Sequence, residues 1–167
     1  MITLISFLIS CQAFGAVVGV GTAVWGELAY IRAMRDGKLD TAERAHLHII
    51  AKGLRFGMTL LLLASLGLVI VEYLLKGAVQ PALTASYWVF MTLSLLIIGI
   101  SWALSQRHIS FLLGSAITFT AWWFLAYLTF GLLPVHSFGS ALATFVVLTA
   151  IIYAMLHYVR LLALHKR

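Results

Sequence analysis

Charged residues are scarce in this sequence. The 11 lysines and arginines and the 5 acidic residues make up 10% of the 167 positions, whereas 63% of the positions are hydrophobic. A soluble domain needs charge over most of its surface, and its apolar content is about 45–50%. The composition therefore excludes a soluble globular protein and predicts that lipid covers most of the surface.

Cysteine is also nearly absent. The single cysteine, Cys11, excludes an internal disulfide bond and any metal centre built from several cysteines. Gly19 and Gly21 do not form a nucleotide-binding loop, because no strand precedes them. The Ser and Thr residues show no recognisable spacing to a histidine and a carboxylate, so a non-enzymatic function is favoured.

Five long hydrophobic runs are present instead. About 20 helical residues cross the roughly 30 Å of hydrocarbon in a bilayer. Five runs approach or exceed that length, at residues 5–31, 57–75, 85–104, 111–133 and 138–162. The pattern predicts an all-α integral membrane bundle of five transmembrane helices, in a single domain over residues 1–167.

The basic residues indicate the orientation of the bundle. Ten of the 11 would lie on one side of the membrane, namely Arg32, Arg35, Lys38, Arg44, Lys52, Arg55, Arg107, Arg160, Lys166 and Arg167. Lys76 alone would lie on the other side. Because basic residues are retained on the cytoplasmic side, we expect the N-terminus outside and the C-terminus in the cytoplasm. Topology and anionic lipid explain the net charge of +6, so nucleic acid is not expected as a partner.

The segment between the first two runs carries signals for the start of a helix. Asp36-Gly37 is a turn dipeptide, and Asp40 with Glu43 resembles a capping box. The second helix is expected to begin near Thr41, to run as a polar stretch to about Lys52 and then to continue into the membrane.

Small residues recur along one face of the first helix. The face consists of Cys11, Gly15, Gly19, Thr22 and Gly26, at spacings of four, four, three and four. Small residues at such spacings allow two transmembrane helices to approach closely. The pattern favours packing within the chain, and formation of a homo-oligomer or of a substrate cleft stays an alternative.

Glu27 is the acidic residue that most needs an explanation. It lies within the first hydrophobic run, where a charge is costly unless it is paired or hydrated. The simplest interpretation is an interfacial ion pair with Arg32 or Arg35.

A second interpretation of Glu27 involves the fifth helix. Thr149, Tyr153, His157 and Arg160 follow one another there at spacings of four, four and three. We therefore hypothesise that Glu27 meets Tyr153, His157 or Arg160 in a polar site open to the cytoplasm, with Gln12 and Thr22 lining a path above it. For His157, a position at the membrane interface is the simpler alternative.

Haem and the aromatic residues of the fourth helix need separate consideration. Small helical bundles hold haem between two facing histidines. The histidines at positions 46, 48, 108, 136 and 165 fall in segments expected to be exposed or between helices, so no cofactor is expected. Trp122, Trp123 and Tyr127 form an aromatic cluster that packing explains better than ligand binding.

The N-terminal part of the chain resembles a known group of proteins. The likeness covers residues 15–67, with Trp25-Gly26-Glu27, Arg35-Asp36-Gly37-Lys38 and the Leu60–Leu63 run. These features are similar to those of small bacterial membrane proteins that are themselves uncharacterised and have about five predicted transmembrane helices. The resemblance implies a multi-pass protein of the bacterial inner membrane.

Three functions remain, together with one contrasting alternative. A transporter or channel predicts a polar cavity that extends from Glu27 and His157. An accessory subunit, in a membrane complex or a homo-oligomer, predicts a filled interior and an exposed small-residue face on the first helix. The contrasting alternative is a haem-binding redox protein.

Overall fold

The computed structural model describes residues 2–34, 41–75, 81–106 and 108–165. In these ranges the chain forms α1 (Ile2–Met34), α2 (Thr41–Leu74), a 3-10 turn (Pro81–Leu83), α3 (Ala85–Ser105), α4 (Phe111–Thr129) and α5 (Phe138–His165). The described ranges contain no strand, and all five α-helices are long and apolar enough to cross a membrane. The prediction of an all-α bundle of five membrane-spanning helices is confirmed.

The helix boundaries agree with the predictions to within three residues, except at the end of α4, which differs by four. Helix α2 is continuous from Thr41, although the predicted cap formed by Asp40 and Glu43 lies outside the described side chains. Helix α4 ends at Thr129 and not at residue 133, because Gly131 adopts a φ of 66°. That left-handed conformation is accessible to glycine at little cost and stops a helix.

Helices α1 and α2 pack closely as an antiparallel pair. A Cβ atom built on Gly15 would lie 2.9 Å from the Gly57 carbonyl oxygen, and one built on Gly57 would lie 3.0 Å from the Gly15 carbonyl oxygen. Nearer the end of α1, Gly26 faces Ile50. Backbone contacts this close require glycine on both helices, as expected where van der Waals packing holds helices together in lipid.

Helix α4 lies at the centre of the bundle. Half of its membrane-spanning window is buried within the protein, the largest share among the five helices, whereas α5 has the smallest share. The fully buried Trp122 and Leu125 of α4 pack in one cluster with Leu61 of α2 and Leu93 of α3. A polar group on α4 is therefore enclosed by protein more often than one on any other helix of the bundle.

The orientation of the bundle stays a prediction, and it can be tested by labelling. Lys76 and Arg107 lie outside the described residues but on opposite sides of the predicted membrane. We expect a membrane-impermeant maleimide to label a Lys76→Cys variant in intact cells, and an Arg107→Cys variant only after the membrane is opened. Both variants carry Cys11→Ser. Labelling of both positions from the same side would contradict the five-span topology.

Candidate functional site

Glu27 and Arg160 form a buried ion pair near one end of the bundle. One guanidinium nitrogen, Arg160 Nη2, lies 2.6 Å from Glu27 Oε2, and each side chain is only 10% exposed. The pair joins the last third of α1 to the last turns of α5. Because charges inside a membrane protein are costly when unpaired, the two residues depend on each other.

Ser115 connects this pair to the central helix. The Ser115 hydroxyl oxygen accepts a hydrogen bond of 2.8 Å from the same Nη2 atom of Arg160. Ser115 is buried near the beginning of α4, and its own hydroxyl donates to the Leu112 carbonyl oxygen at 3.2 Å. One nitrogen of Arg160 thus joins α1, α4 and α5.

Two aromatic rings complete the surroundings of Arg160. Its guanidinium carbon lies 4.9 Å from the centre of the Tyr30 ring and 5.7 Å from the centre of the Phe111 ring. The two rings stack on each other with their centres 4.1 Å apart. Both distances to Arg160 fall within the range of cation–π attraction. The rings therefore limit movement of the guanidinium on a side where the ion pair does not.

Arg160 has more hydrogen-bond donors than its neighbours satisfy. Its Nε and Nη1 atoms are buried and have no acceptor in the part of the chain that the structure describes. An arginine side chain has five N–H donors, and Nε and Nη1 together carry three of them. Buried donors without acceptors are rare in folded proteins. This incomplete hydrogen bonding is the chemical feature that distinguishes the site.

The structure does not bring Tyr153 and His157 to Glu27. Both residues are exposed on α5, and their rings lie parallel to within 5°, with centres 6.4 Å apart. At about 100° per residue, His157 lies about 60° around the helix from Arg160, so its side chain faces away from the bundle. Tyr153 lies on nearly the same side of α5 as Arg160 but about 10 Å farther from the end of the helix, at about 1.5 Å per residue.

The other members of the predicted polar site lie farther along α1. Gln12 is half-buried, about two helical turns beyond Gly19 and away from the ion pair. The Thr22 hydroxyl donates to the carbonyl oxygens of Val18 and Gly19, at 2.6 Å and 3.0 Å. The Thr22 hydroxyl is therefore hydrogen-bonded within its own helix. Arg32 is exposed, and Arg35 lies outside the described residues.

The small-residue face of α1 packs against two helices. Gly15 and Gly26 lie against α2, and the methyl group of Thr22 fills the space above Gly53 of α2. Gly19 instead lies directly beneath the ring of Trp122 on α4, where a Cβ atom would overlap the ring carbons. The face is thus occupied within the chain at these four positions.

A polar stripe on α4 was missed by the sequence analysis. Ser115, Thr118, Trp122 and Thr129 are spaced by three, four and seven residues, which places them along one side of the helix. That spacing was the signal available, but the two tryptophans and Tyr127 suggested packing alone. We name these four residues the α4 stripe.

The described histidines do not come together as ligands. His46, His48, His108, His136 and His157 are all exposed, and His46 Nε2 accepts a hydrogen bond of 2.8 Å from the Trp25 indole. Over the described ranges, no three His, Cys, Asp or Glu side chains are arranged to hold a metal ion. No described residue therefore gives the haem alternative support of its own.

Comparison with known proteins finds no matching family model, no similar curated protein and no similar solved structure. The resemblance of residues 15–67 to small bacterial membrane proteins, and the inner-membrane location that it implies, accordingly stay predictions. A proposal about function has to depend on the chemistry of the site.

Proposed function

We propose that this protein is a small transporter that binds an anionic solute at Arg160. The observation that carries the proposal is the guanidinium itself, which is buried among three helices with three N–H donors that lack an acceptor among the described residues. Guanidinium groups bind carboxylate and phosphate oxygens well, because their donors lie in a fixed planar fork. An anion would supply the acceptors that the described part of the chain does not.

Glu27 has a specific part in this proposal. Its carboxylate neutralises Arg160 when no solute is bound, so the site carries no uncompensated charge. The same carboxylate repels an incoming anion and competes with it for the guanidinium. Glu27 is therefore an exchangeable counter-ion, which keeps binding weak enough for the solute to leave.

The position of the site is suitable for exchange with one aqueous side. Arg160 lies within the last turns of α5, and Phe111 begins α4 on the same end of the bundle. The Phe111 side chain is 43% exposed, and Tyr30 is half-buried. The solute would reach the guanidinium past these two rings.

Anion binding can be tested by the thermal stability of the purified protein. Chloride, nitrate and inorganic phosphate should each be compared with gluconate at constant ionic strength. An anion that binds only the folded protein raises its unfolding temperature. We expect a larger rise for a Glu27→Gln variant, because glutamine keeps an acceptor for Arg160 and removes the competing charge.

The controls separate specific binding from general salt effects. An Arg160→Gln variant should show no anion-dependent rise above its own baseline, and a Glu72→Gln variant, altered on α2, should behave as the unaltered protein does. Short-chain phosphatidylglycerol forms a second arm, because its phosphate offers the same oxygens. Stabilisation by the lipid alone would make Arg160 a lipid site and overturn the proposal of transport.

An accessory subunit is the second candidate. Helix α5 has the smallest buried share of the five spans, and its exposed Tyr153 and His157 place polar groups on the outside of the bundle. This arrangement would suit a neighbouring helix. Arg160 favours the transporter over this candidate, because a purely structural ion pair has no need of unsatisfied donors.

A further inference from the structure

The buried polar groups without partners are not scattered through the protein. In the described residues, these atoms are Thr118 Oγ1, Trp122 Nε1, Thr129 Oγ1, and Arg160 Nε and Nη1. The first three belong to the α4 stripe. The Arg160 guanidinium is bonded to the remaining stripe residue, Ser115. Three of the five unpartnered atoms thus belong to the α4 stripe, and the other two belong to the arginine that is hydrogen-bonded to it.

Thr118 and Thr129 differ from most hydroxyl residues of this bundle. Helical serines and threonines usually bond to a carbonyl oxygen one turn earlier, which satisfies them inside a membrane. Among the described residues, seven hydroxyls bond to the carbonyl oxygen four residues earlier, those of Ser10, Thr22, Thr59, Ser94, Thr120, Thr144 and Thr149. Thr118 and Thr129 make no such bond and therefore need another partner.

The α4 stripe extends across most of the membrane. Ser115 lies near the beginning of α4 and Thr129 is its last residue, a separation of about 21 Å at about 1.5 Å per residue. Helix α1 runs antiparallel to α4. Glu27 lies near Ser115, since both bind Arg160 Nη2, and Gly19 lies beneath Trp122. The same register places the half-buried Gln12 at the depth of Thr129. Polar groups therefore continue on α1 as well.

We infer that water hydrogen-bonds the polar atoms of Thr118, Trp122 and Thr129, and those of Arg160 while no solute is bound, and that the α4 stripe is a hydrated path leading from Arg160 towards the opposite side of the membrane. Buried polar atoms in proteins are satisfied by protein groups or by ordered water, and the described residues offer these atoms no protein partner. The residues of the stripe offer hydroxyl and indole donors and no carboxylate. Such a lining suits an anion better than a cation.

Trp122 lies midway along the α4 stripe, seven residues from Ser115 and seven from Thr129. Its ring is fully buried against Gly19, and its buried indole nitrogen has no hydrogen-bond partner among the described residues. The ring closes the seam between α1 and α4, and the N–H group provides a single polar contact. The anionic character of the solute rests on the proposed function, but hydration of the stripe does not.

Hydrogen exchange of the Trp122 indole tests the path directly. The full-length protein, with ¹⁵N-labelled indoles, is transferred to D₂O in detergent micelles, and a Trp122→Phe variant assigns the signal. We expect the indole proton to exchange at least about tenfold faster than the helical amide proton of the same residue, because water reaches only the indole. Equal protection of the two protons would overturn the inference.

Two threonine variants and one matched control locate the path. Thr118→Val and Thr129→Val keep the side-chain shape, remove a hydroxyl from the stripe, and should each slow indole exchange severalfold. Thr120→Val is the control, because Thr120 is also on α4 and is buried, but it faces another side of the helix and its hydroxyl donates to the Ala116 carbonyl oxygen at 2.8 Å. Equal slowing by Thr120→Val would show that the α4 stripe has no special role.

Chloride efflux from vesicles distinguishes this inference from the proposed function. The Thr118→Val and Thr129→Val variants should slow efflux, whereas the Thr120→Val variant should not. Fast indole exchange without anion binding at Arg160 would disprove the transporter and leave the hydrated path in place. A protected indole with normal anion binding would disprove the path alone.

Discussion

Replacing Glu27 with alanine should lower the free energy of unfolding by about 3–5 kcal/mol, because it leaves the buried guanidinium of Arg160 without its counter-ion. The charge cannot simply turn to water, since the Arg160 side chain is 10% exposed and lies against Tyr30 and Phe111. The measurement is reversible unfolding in mixed micelles titrated with sodium dodecyl sulfate.

A second variant separates the charge from the shape of the site. Replacing both residues with apolar ones, Glu27→Leu together with Arg160→Met, should recover most of the lost free energy of unfolding, because two apolar side chains can replace a buried ion pair at little net cost. Glu72→Ala is the matched control, since it removes a half-buried carboxylate from α2, and we expect a loss of about 1 kcal/mol or less. Equal losses for Glu27→Ala and Glu72→Ala would show that the buried pair contributes nothing particular.

Gly19→Ala should destabilise the bundle by about 1–3 kcal/mol, because the added methyl group would overlap the Trp122 ring. The ring has no free space to enter, since it is fully buried among α1, α2, α3 and α4 residues of one apolar cluster. The chain must therefore move α1 away from α4. Unfolding in mixed micelles measures this loss as well.

Gly21→Ala is the control for the substitution at Gly19. Gly21 lies on the same helix, but a Cβ atom built on it meets nothing within 4 Å, so alanine should stabilise the helix by about 0.5–1 kcal/mol. Combining Gly19→Ala with Trp122→Phe should cost less than the sum of the two single changes, because the smaller ring relieves the overlap. Strict additivity would show that the two residues do not contact each other.

The ion pair and the Gly19–Trp122 contact lie along one side of α1. The ion pair joins α1 to α5 and α4 at one end, and the Gly19–Trp122 contact joins α1 to α4 farther along. A solute that displaces Glu27 from Arg160 would weaken the first junction while leaving the second intact.

Helix positions were predictable because they depend on local composition. Each run of about 20 apolar residues must satisfy its own backbone in lipid, and a helix does so without reference to other segments. The start of α2 at Thr41 was predictable for the same reason, since turn and cap signals precede it. The end of α4 was misplaced because the left-handed conformation of Gly131 was not recognised as a stop signal.

The site was predictable only as a set of alternatives. Glu27 was identified by the cost of its charge, and Arg160 appeared among three candidate partners on α5. The choice among these depends on how far α5 is rotated and on the length of each side chain, which no spacing in α5 reveals. Ser115 was missed because a serine within a hydrophobic run normally bonds to its own helix.

The amino-acid sequence by itself determined that lipid surrounds this protein, that five helices cross the membrane, and that Glu27 must find a partner. Those conclusions follow from the free energy of placing apolar and charged groups in hydrocarbon, which is a property of each segment alone. The tertiary structure alone decided that the partner is Arg160 and that Gly19 packs against the Trp122 ring. It also decided that buried polar atoms of Thr118, Trp122 and Thr129 have no partner among the described residues. These facts depend on the rotation and register of helices against one another, and packing between segments distant in the chain sets both.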